Sequence, residues 1–151
     1  MIQIPKDFRE FLQLLNENNV DFIIVGGYAV AFHGAPRYTG DIDIYVKREK
    51  ENGKRIIAAL EHFGFIDIGL KPEDFSEENK IFQLGYPPLR IDILTDIDGL
   101  SWGEALAGAV EYIIDDLTCK FIGEKELIFN KRKTGRHQDL ADIDALEGKE
   151  Q

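Results

Sequence analysis

The chain holds one cysteine, one methionine and one tryptophan, and it has no uninterrupted apolar run of eighteen residues. With a single cysteine no internal disulfide can form, and Cys119 sits in an apolar stretch, so a buried reduced thiol is expected there rather than a nucleophile. Without a span-length apolar run, and without a basic segment followed by an apolar one at the N-terminus, neither a membrane-spanning helix nor a secretory signal is expected. The expected compartment is the cytoplasm. Positive charge is also scarce: 18 Lys and Arg stand against 28 Asp and Glu, a net charge of −10. So acidic a chain has no long-range attraction for a nucleic-acid backbone. The deficit is uneven, because residues 120–137 hold six basic residues and two acids. A patch of that size suits one triphosphate better than a duplex, while the acidic excess elsewhere fits a solubilising surface equally well.

What is present is apolar material: 44% of the residues are hydrophobic and ten are Phe. Over 151 residues that is enough for one real core, so a single domain is expected across 1–151, with residues 148–151 as a frayed tail. It leaves no room for a separate acceptor-binding domain.

The informative stretch runs from Val25 to Val46. An apolar strand, Phe22–Val25, runs into Gly26-Gly27, where missing side chains let backbone N–H groups approach a ligand at the start of a short helix over 28–32. That describes a phosphate seat. Thirteen residues separate Gly27 from Asp41-Ile42-Asp43-Ile44, whose alternation reads as a half-buried strand with both aspartates on one face. Two carboxylates so close raise each other's pKa unless a cation lies between them. A divalent ion such as Mg²⁺, which takes one or two carboxylates together with phosphate oxygens, turns this pair and the glycine seat into a metal–nucleotide site.

These residues resemble the DNA polymerase beta-like nucleotidyltransferase superfamily, in particular its minimal and abortive-infection-related members. The family pattern is a strand, Gly-Gly or Gly-Ser, about a dozen residues, Asp-x-Asp, and a third acid on a later strand. Here the pieces are Gly26-Gly27, Asp41 and Asp43, and Asp92 within Arg90-Ile91-Asp92-Ile93-Leu94. The likeness extends to Arg37-Tyr38-Thr39-Gly40 and to the segments 127–131 and 135–143. It implies a mixed α/β (α+β) fold, a mostly antiparallel sheet flanked by helices, and two Mg²⁺ or Mn²⁺ ions on Asp41, Asp43 and Asp92 with an NTP as substrate. The short members of the family often pair with a helical HEPN-type toxin, and relatives in abortive infection modify tRNA.

Along the rest of the chain, Pro5 opens a helix with Phe8, Phe11, Leu12 and Leu15 in one apolar stripe. A second amphipathic helix is expected over 49–63, stopped by Gly64, and a strand over 65–68. Residues 71–79 read as a loop or a single helical turn. The runs 80–84 and 89–94 read as an antiparallel pair around a turn at 85–88, which places Asp92 mid-strand with Arg90 and Leu94 on its face. An aspartate there is costly to bury alone, and joining the dyad at the metals accounts for it. Ser101-Trp102-Gly103-Glu104 has the form of a capping box. Strands over 109–114 and 117–122 and helices over 124–133 and 137–146 complete the chain.

Candidate anion holders are Arg37 and Thr39, just before the aspartates, then Lys131 and Arg136, with Lys133 as a substitute. For Arg37 the competing reading is an ion pair with an acid, and for the lysines a favourable place at a helix C-terminus. His33 reads as a loop histidine or a proton-transfer group, Trp102 as a base platform or a core lid. Asp96 and Asp98 read as a turn rather than a second metal pair. Asp139 and Asp142 are expected to pair with Arg136 or other basic residues.

The reading is a metal-dependent transfer of an NMP group, for instance from ATP, to a hydroxyl. A protein or small-molecule acceptor is favoured over nucleic acid; tRNA and an aminoglycoside-like antibiotic stay open, as does a place in a toxin–antitoxin or abortive-infection system. The alternative is a non-catalytic nucleotide- or partner-binding module on the same fold, an antitoxin acting by binding. A glycosyltransferase reading of Asp-x-Asp predicts UDP-sugar binding instead, and the chain is short for it.

Overall fold

A computed structural model describes residues 3–86 and 88–148. Pro5 precedes helix α1, Lys6–Glu17, and the four residues of the expected stripe are all buried. Strand β1, Phe22–Val25, leads directly into helix α2, Gly26–Phe32, which starts at the glycines themselves. Strand β2, Asp41–Val46, and helix α3, Lys50–Phe63, follow, and Gly64 ends α3 in the left-handed conformation at φ 115°. Strands β3, Ile81–Tyr86, and β4, Leu89–Leu94, come next. Helix α4, Trp102–Gly108, opens on the Ser101–Glu104 capping box, and strands β5, Val110–Ile114, and β6, Leu117–Phe121, then precede helices α5, Glu124–Thr134, and α6, His137–Gly148.

The six strands form one mixed sheet in the order β3-β4-β2-β1-β6-β5. Three pairings are antiparallel and two, β2 with β4 and β1 with β6, are parallel. The central strands β1 and β2 carry most of the apolar burial: Ile23, Ile24, Ile42 and Ile44 are wholly inaccessible, and Phe11, Leu12 and Ile56 from α1 and α3 join them in the core. Every such residue contributes by leaving water, on the order of 1.5–3 kcal/mol per large side chain.

Two expectations are corrected. Residues 65–68 form no strand: Asp67 at φ 55° and Gly69 at φ 80° interrupt the extended backbone, and Ile66 and Ile68 lie exposed. None of the six strands pairs with this stretch. Of the two outcomes expected for 71–79, the helical turn is present, a 3₁₀ turn over Pro72–Ser76 whose Phe75 is buried against Phe82 with ring centroids 4.7 Å apart. Gly148 belongs to α6 rather than to a tail; the remainder of that expected tail, 149–151, and Pro87 of the expected 85–88 turn lie outside the described residues. Asn52, on the buried side of α3, went unmarked in the sequence because an asparagine breaks an apolar pattern. It accepts the Asp21 N–H at 2.8 Å and donates to the carbonyls of Asp21 and Lys47 at 3.0 and 2.9 Å, which ties α3 to one end of the antiparallel β1–β2 pair, where β1 begins and β2 finishes.

Candidate active site

The site starts at the corner between β1 and α2. Gly26 has φ 68°, and a Cβ there would run into the Asp43 carboxylate. Both constraints exclude an L side chain. At Gly27 a Cβ would meet Thr39 Cβ and Oγ1 at 2.9 Å. The paired glycines therefore bring the Asp-x-Asp strand and its preceding loop hard against the helix start. Thr39 Oγ1 donates to the Asp41 carbonyl at 3.1 Å and accepts the Asp41 N–H at 3.4 Å, so this hydroxyl fixes the entry into β2.

Parallel pairing of β2 with β4 sets the acidic cluster. The register puts Asp43 beside Asp92 and Asp41 beside Arg90, while Ile42 meets Ile91 and Ile44 meets Ile93 on the buried face. Antiparallel pairing with β1 puts Asp43 next to Val25, one residue before the glycines. Burial and the neighbouring charges of Asp92 and Asp41 push the Asp43 carboxyl up to about 7, and a hydrogen bond with Asp92 acts in the same direction; Lys131 opposes them. The three expected aspartates are thus brought together. A fourth residue stands with them. The Arg90 guanidinium donates through Nε to Asp92 Oδ1 at 3.0 Å, and through Nη2 to Asp92 Oδ2 at 3.2 Å and Asp41 Oδ2 at 2.9 Å. The period of two had put Arg90 on this face, but only the register shows that it reaches both carboxylates.

The expected cations have partners of their own. Arg37 forms a two-armed pair with Asp142, Nε to Oδ1 at 2.7 Å and Nη2 to Oδ2 at 3.1 Å. Lys131, on α5, is only 5% exposed and its Nζ lies 3.3 Å from Asp139 and 2.9 Å from Asp142 on α6. Arg136 donates to Asp139 from Nε at 2.8 Å, yet its side chain is 78% exposed. Burial alone would raise the two aspartates, but hydrogen bonds from Arg136 to Asp139 and from Arg37 to Asp142, with the charge of Lys131, outweigh it and hold both carboxyls below the usual range. Asp139 and Asp142 therefore pair with basic residues as expected, though with three of them. Lys133 lies over the Phe129 ring at 5.3 Å. The His33 Nε2 is hydrogen-bonded to the Ile122 carbonyl at 2.6 Å.

One cleft of about 700 Å³ holds Gly26, Gly27, Arg37, Thr39, Lys131 and Arg136 together with the three aspartates and Arg90. Asp96 and Asp98 stand on its wall, and Asp96 is engaged by Arg48 at 2.8 Å and by the Asn79 N–H at 2.6 Å. Trp102 is elsewhere: it meets Tyr45 edge-on at 5.2 Å, packs on the core and lines a different depression. A second cavity of about 750 Å³, walled by Tyr28, Phe32, Tyr38 and Tyr112, shares Arg37 and Thr39 with the cleft. The Cys119 thiol is buried on β6, and burial pushes it up to about 12.

Among the described residues, no group of three His, Cys, Asp or Glu side chains already converges on one metal position. Three carboxylates do line one cleft, and one of them is driven toward protonation by burial and by the charge of the other two. Hard oxygen donors in that condition fit a divalent cation of the Mg²⁺ or Mn²⁺ type.

A family model described as aminoglycoside-2''-adenylyltransferase matches residues 7–99, more than half of the chain and all three aspartates. No curated protein matches by sequence. Among solved structures, a candidate nucleotidyltransferase of Thermotoga maritima superposes with a TM-score of 0.64 at 16% identity, over 94% of this chain and 91% of that one. The antibiotic-resistance factor ANT(2'')-Ia gives 0.63 at 13% identity, over 96% and 83%. The lincosamide antibiotic adenylyltransferase LnuA, in its lincomycin-bound structure, gives 0.58 at 17%, over 95% and 96%. At these identities the structures establish the nucleotidyltransferase fold. None of these matches is described as a minimal or abortive-infection-related member, the branch that the motifs resemble.

Proposed function

Because the chain belongs to the aminoglycoside-2''-adenylyltransferase family, we propose that it transfers an NMP group, AMP foremost, from an NTP to the hydroxyl of a small molecule. The observation that carries this reading is the register of β2 and β4, which sets Asp43 against Asp92 and opens both, with Asp41, into the glycine-lined cleft. Asp41, Asp43 and Asp92 are the residues that would hold two divalent ions. Bound there, such ions neutralise charge on the triphosphate and on the attacking oxygen. Asp92 accepts the proton of the acceptor hydroxyl at a carboxylate oxygen. The acceptor's own hydroxyl oxygen, freed of that proton, forms the new bond to the α-phosphorus as the bond from the α-phosphorus to the bridging oxygen of the β-phosphate breaks, and pyrophosphate leaves.

The chain's own cations do the binding. Arg136 is the exposed one and takes phosphate oxygens; Arg37 and Lys131, locked by Asp142 and Asp139, give the cleft fixed positive charge without moving. The backbone of Gly26 and Gly27, and Thr39 beside it, shape the phosphate seat. A small-molecule acceptor fits the family description and the acidic charge, and the aromatic-walled cavity adjoining at Arg37 and Thr39 offers it a place.

The test is incubation with α-³²P-labelled ATP and Mg²⁺ or Mn²⁺, using aminoglycosides and a lincosamide as acceptors. Labelled antibiotic is expected from the wild type and a loss of at least about a hundredfold from Asp43→Ala; undiminished transfer by that variant would remove the dyad from the mechanism. One observation favours the second reading, a binding module without turnover: Arg90 already neutralises Asp41 and Asp92. A HEPN-type partner and a toxin–antitoxin setting belong with that reading. Nucleotide binding with no transfer to any acceptor would establish it.

A further inference from the structure

Arg90 has no role in the site as described so far, yet it holds two of the three carboxylates. Its position is dictated twice over: it is opposite Asp41 in the β2–β4 register, and it precedes Asp92 by two on the same strand face. The fork of the guanidinium then spans both, with three hydrogen bonds between 2.9 and 3.2 Å. A guanidinium in that geometry engages three of the four carboxylate oxygens and puts its positive charge between them, where a hard cation would compete with it. Arg90 and a metal are therefore alternatives at Asp41 and Asp92.

Mobility separates Arg90 from the other cleft cations. Lys131 is buried between two buried aspartates, and leaving them would give up the one buried cation that they share. Arg90 is 29% exposed at its side chain, and among the described residues its guanidinium bonds go to Asp41 and Asp92. Its long stem can carry the fork elsewhere within the cleft, and the group there that best matches a planar two-pronged donor is a phosphate.

Resting on the metal–nucleotide reading of this site, we propose that Arg90 is the counter-ion that a divalent metal displaces from Asp41 and Asp92. The displaced guanidinium then takes a phosphate of the nucleoside triphosphate. Metal and nucleotide thereby load as a unit: metal alone must overcome the arginine, whereas metal with triphosphate gives the arginine a new anion. Arg90 acts here as a positioning residue that sets the threshold for loading.

The experiment is Mn²⁺ binding followed by the EPR signal of free Mn²⁺ at fixed ionic strength, with and without α,β-methylene-ATP, for wild type, Arg90→Lys and Arg90→Ala. Mn²⁺ alone is expected to bind Arg90→Ala roughly tenfold or more tighter than wild type, with Arg90→Lys between them. The nucleotide is expected to tighten Mn²⁺ binding in wild type by a larger factor than in Arg90→Ala. If Arg90 merely organised the carboxylates, its removal would weaken Mn²⁺ binding; equal or weaker binding in the variants overturns the proposal and leaves the metal site standing. No Mn²⁺ binding by any of the proteins, with or without nucleotide, overturns the metal–nucleotide reading too. Should Arg90→Ala not fold, the Arg90 Nε–H resonance of wild type, identified by its loss in Arg90→Lys, gives the same answer. It is expected to shift when Mg²⁺ and α,β-methylene-ATP saturate the protein, and an unchanged resonance overturns the exchange.

Discussion

Asp43 is the residue where packing and chemistry pull in opposite directions. Its carboxyl sits against the glycine corner and beside two other aspartates, which lifts it from the ordinary carboxylate range to about 7. In the unfolded chain the same group titrates near 4, so the folded protein binds the extra proton between the two values. The sign follows: for metal-free protein, this group takes stability away as pH rises from about 4 through about 7, and the loss is complete above that. Asp43→Asn removes the penalty. In thermal melts without divalent ions the variant is expected to have a higher Tm than wild type at pH 8, and the gap should close on acidification toward pH 4. Added Mg²⁺ supplies the missing positive charge to wild type and should narrow the gap at pH 8. A gap that is the same at both pH values would mean that Asp43 ionises normally.

At the scale of elements, α5 and α6 share a buried cluster of charges. Lys131 faces Asp139 and Asp142, and Arg37 reaches in from the loop before β2 to share Asp142. The sequence marked Arg37, Lys131 and Arg136 as anion holders, with Lys131 favoured over Arg136, because a list of basic residues does not say which are surrounded by acids. Their structural surroundings make them unequal. Lys131→Ala leaves Asp139 with Arg136 and Asp142 with Arg37 but removes the one buried cation that both share, and it is expected to cost about 1.5–3 kcal/mol in denaturant unfolding, whatever it does to nucleotide binding. Arg136→Ala removes a cation whose side chain is 78% exposed, so it should leave stability within about 1 kcal/mol and raise the KM for NTP severalfold. If Arg136→Ala unfolds the protein and Lys131→Ala does not, the assignment is reversed. The expected strand at 65–68 failed on backbone conformation: Asp67 and Gly69 both take positive φ, and none of the six strands pairs with this stretch.

For the molecule as a whole, binding at a cleft built from β1, β2, β4, α5 and α6 should stabilise all of them together. Mg²⁺ with α,β-methylene-ATP at a hundred times its Kd is expected to add about 2.7 kcal/mol to wild type. Asp43→Ala should show no such gain, and an equal gain would place the nucleotide elsewhere. How much of this was legible in the chain depends on the range of the interaction concerned. Strand β1 ending in Gly26-Gly27, the shared face of Asp41 and Asp43, the mid-strand place of Asp92, the stripe of α1 and the capping box of α4 are set by period, turn chemistry and capping, which act over a few residues. The sequence by itself determined those elements. Only the tertiary structure decided that Asp43 lies beside Asp92, that Arg90 spans Asp41 and Asp92, and that Lys131 is spent on α6. Each depends on which strands and helices become neighbours and in what register, and the chain brings residues tens of positions apart into contact only when the whole core has formed.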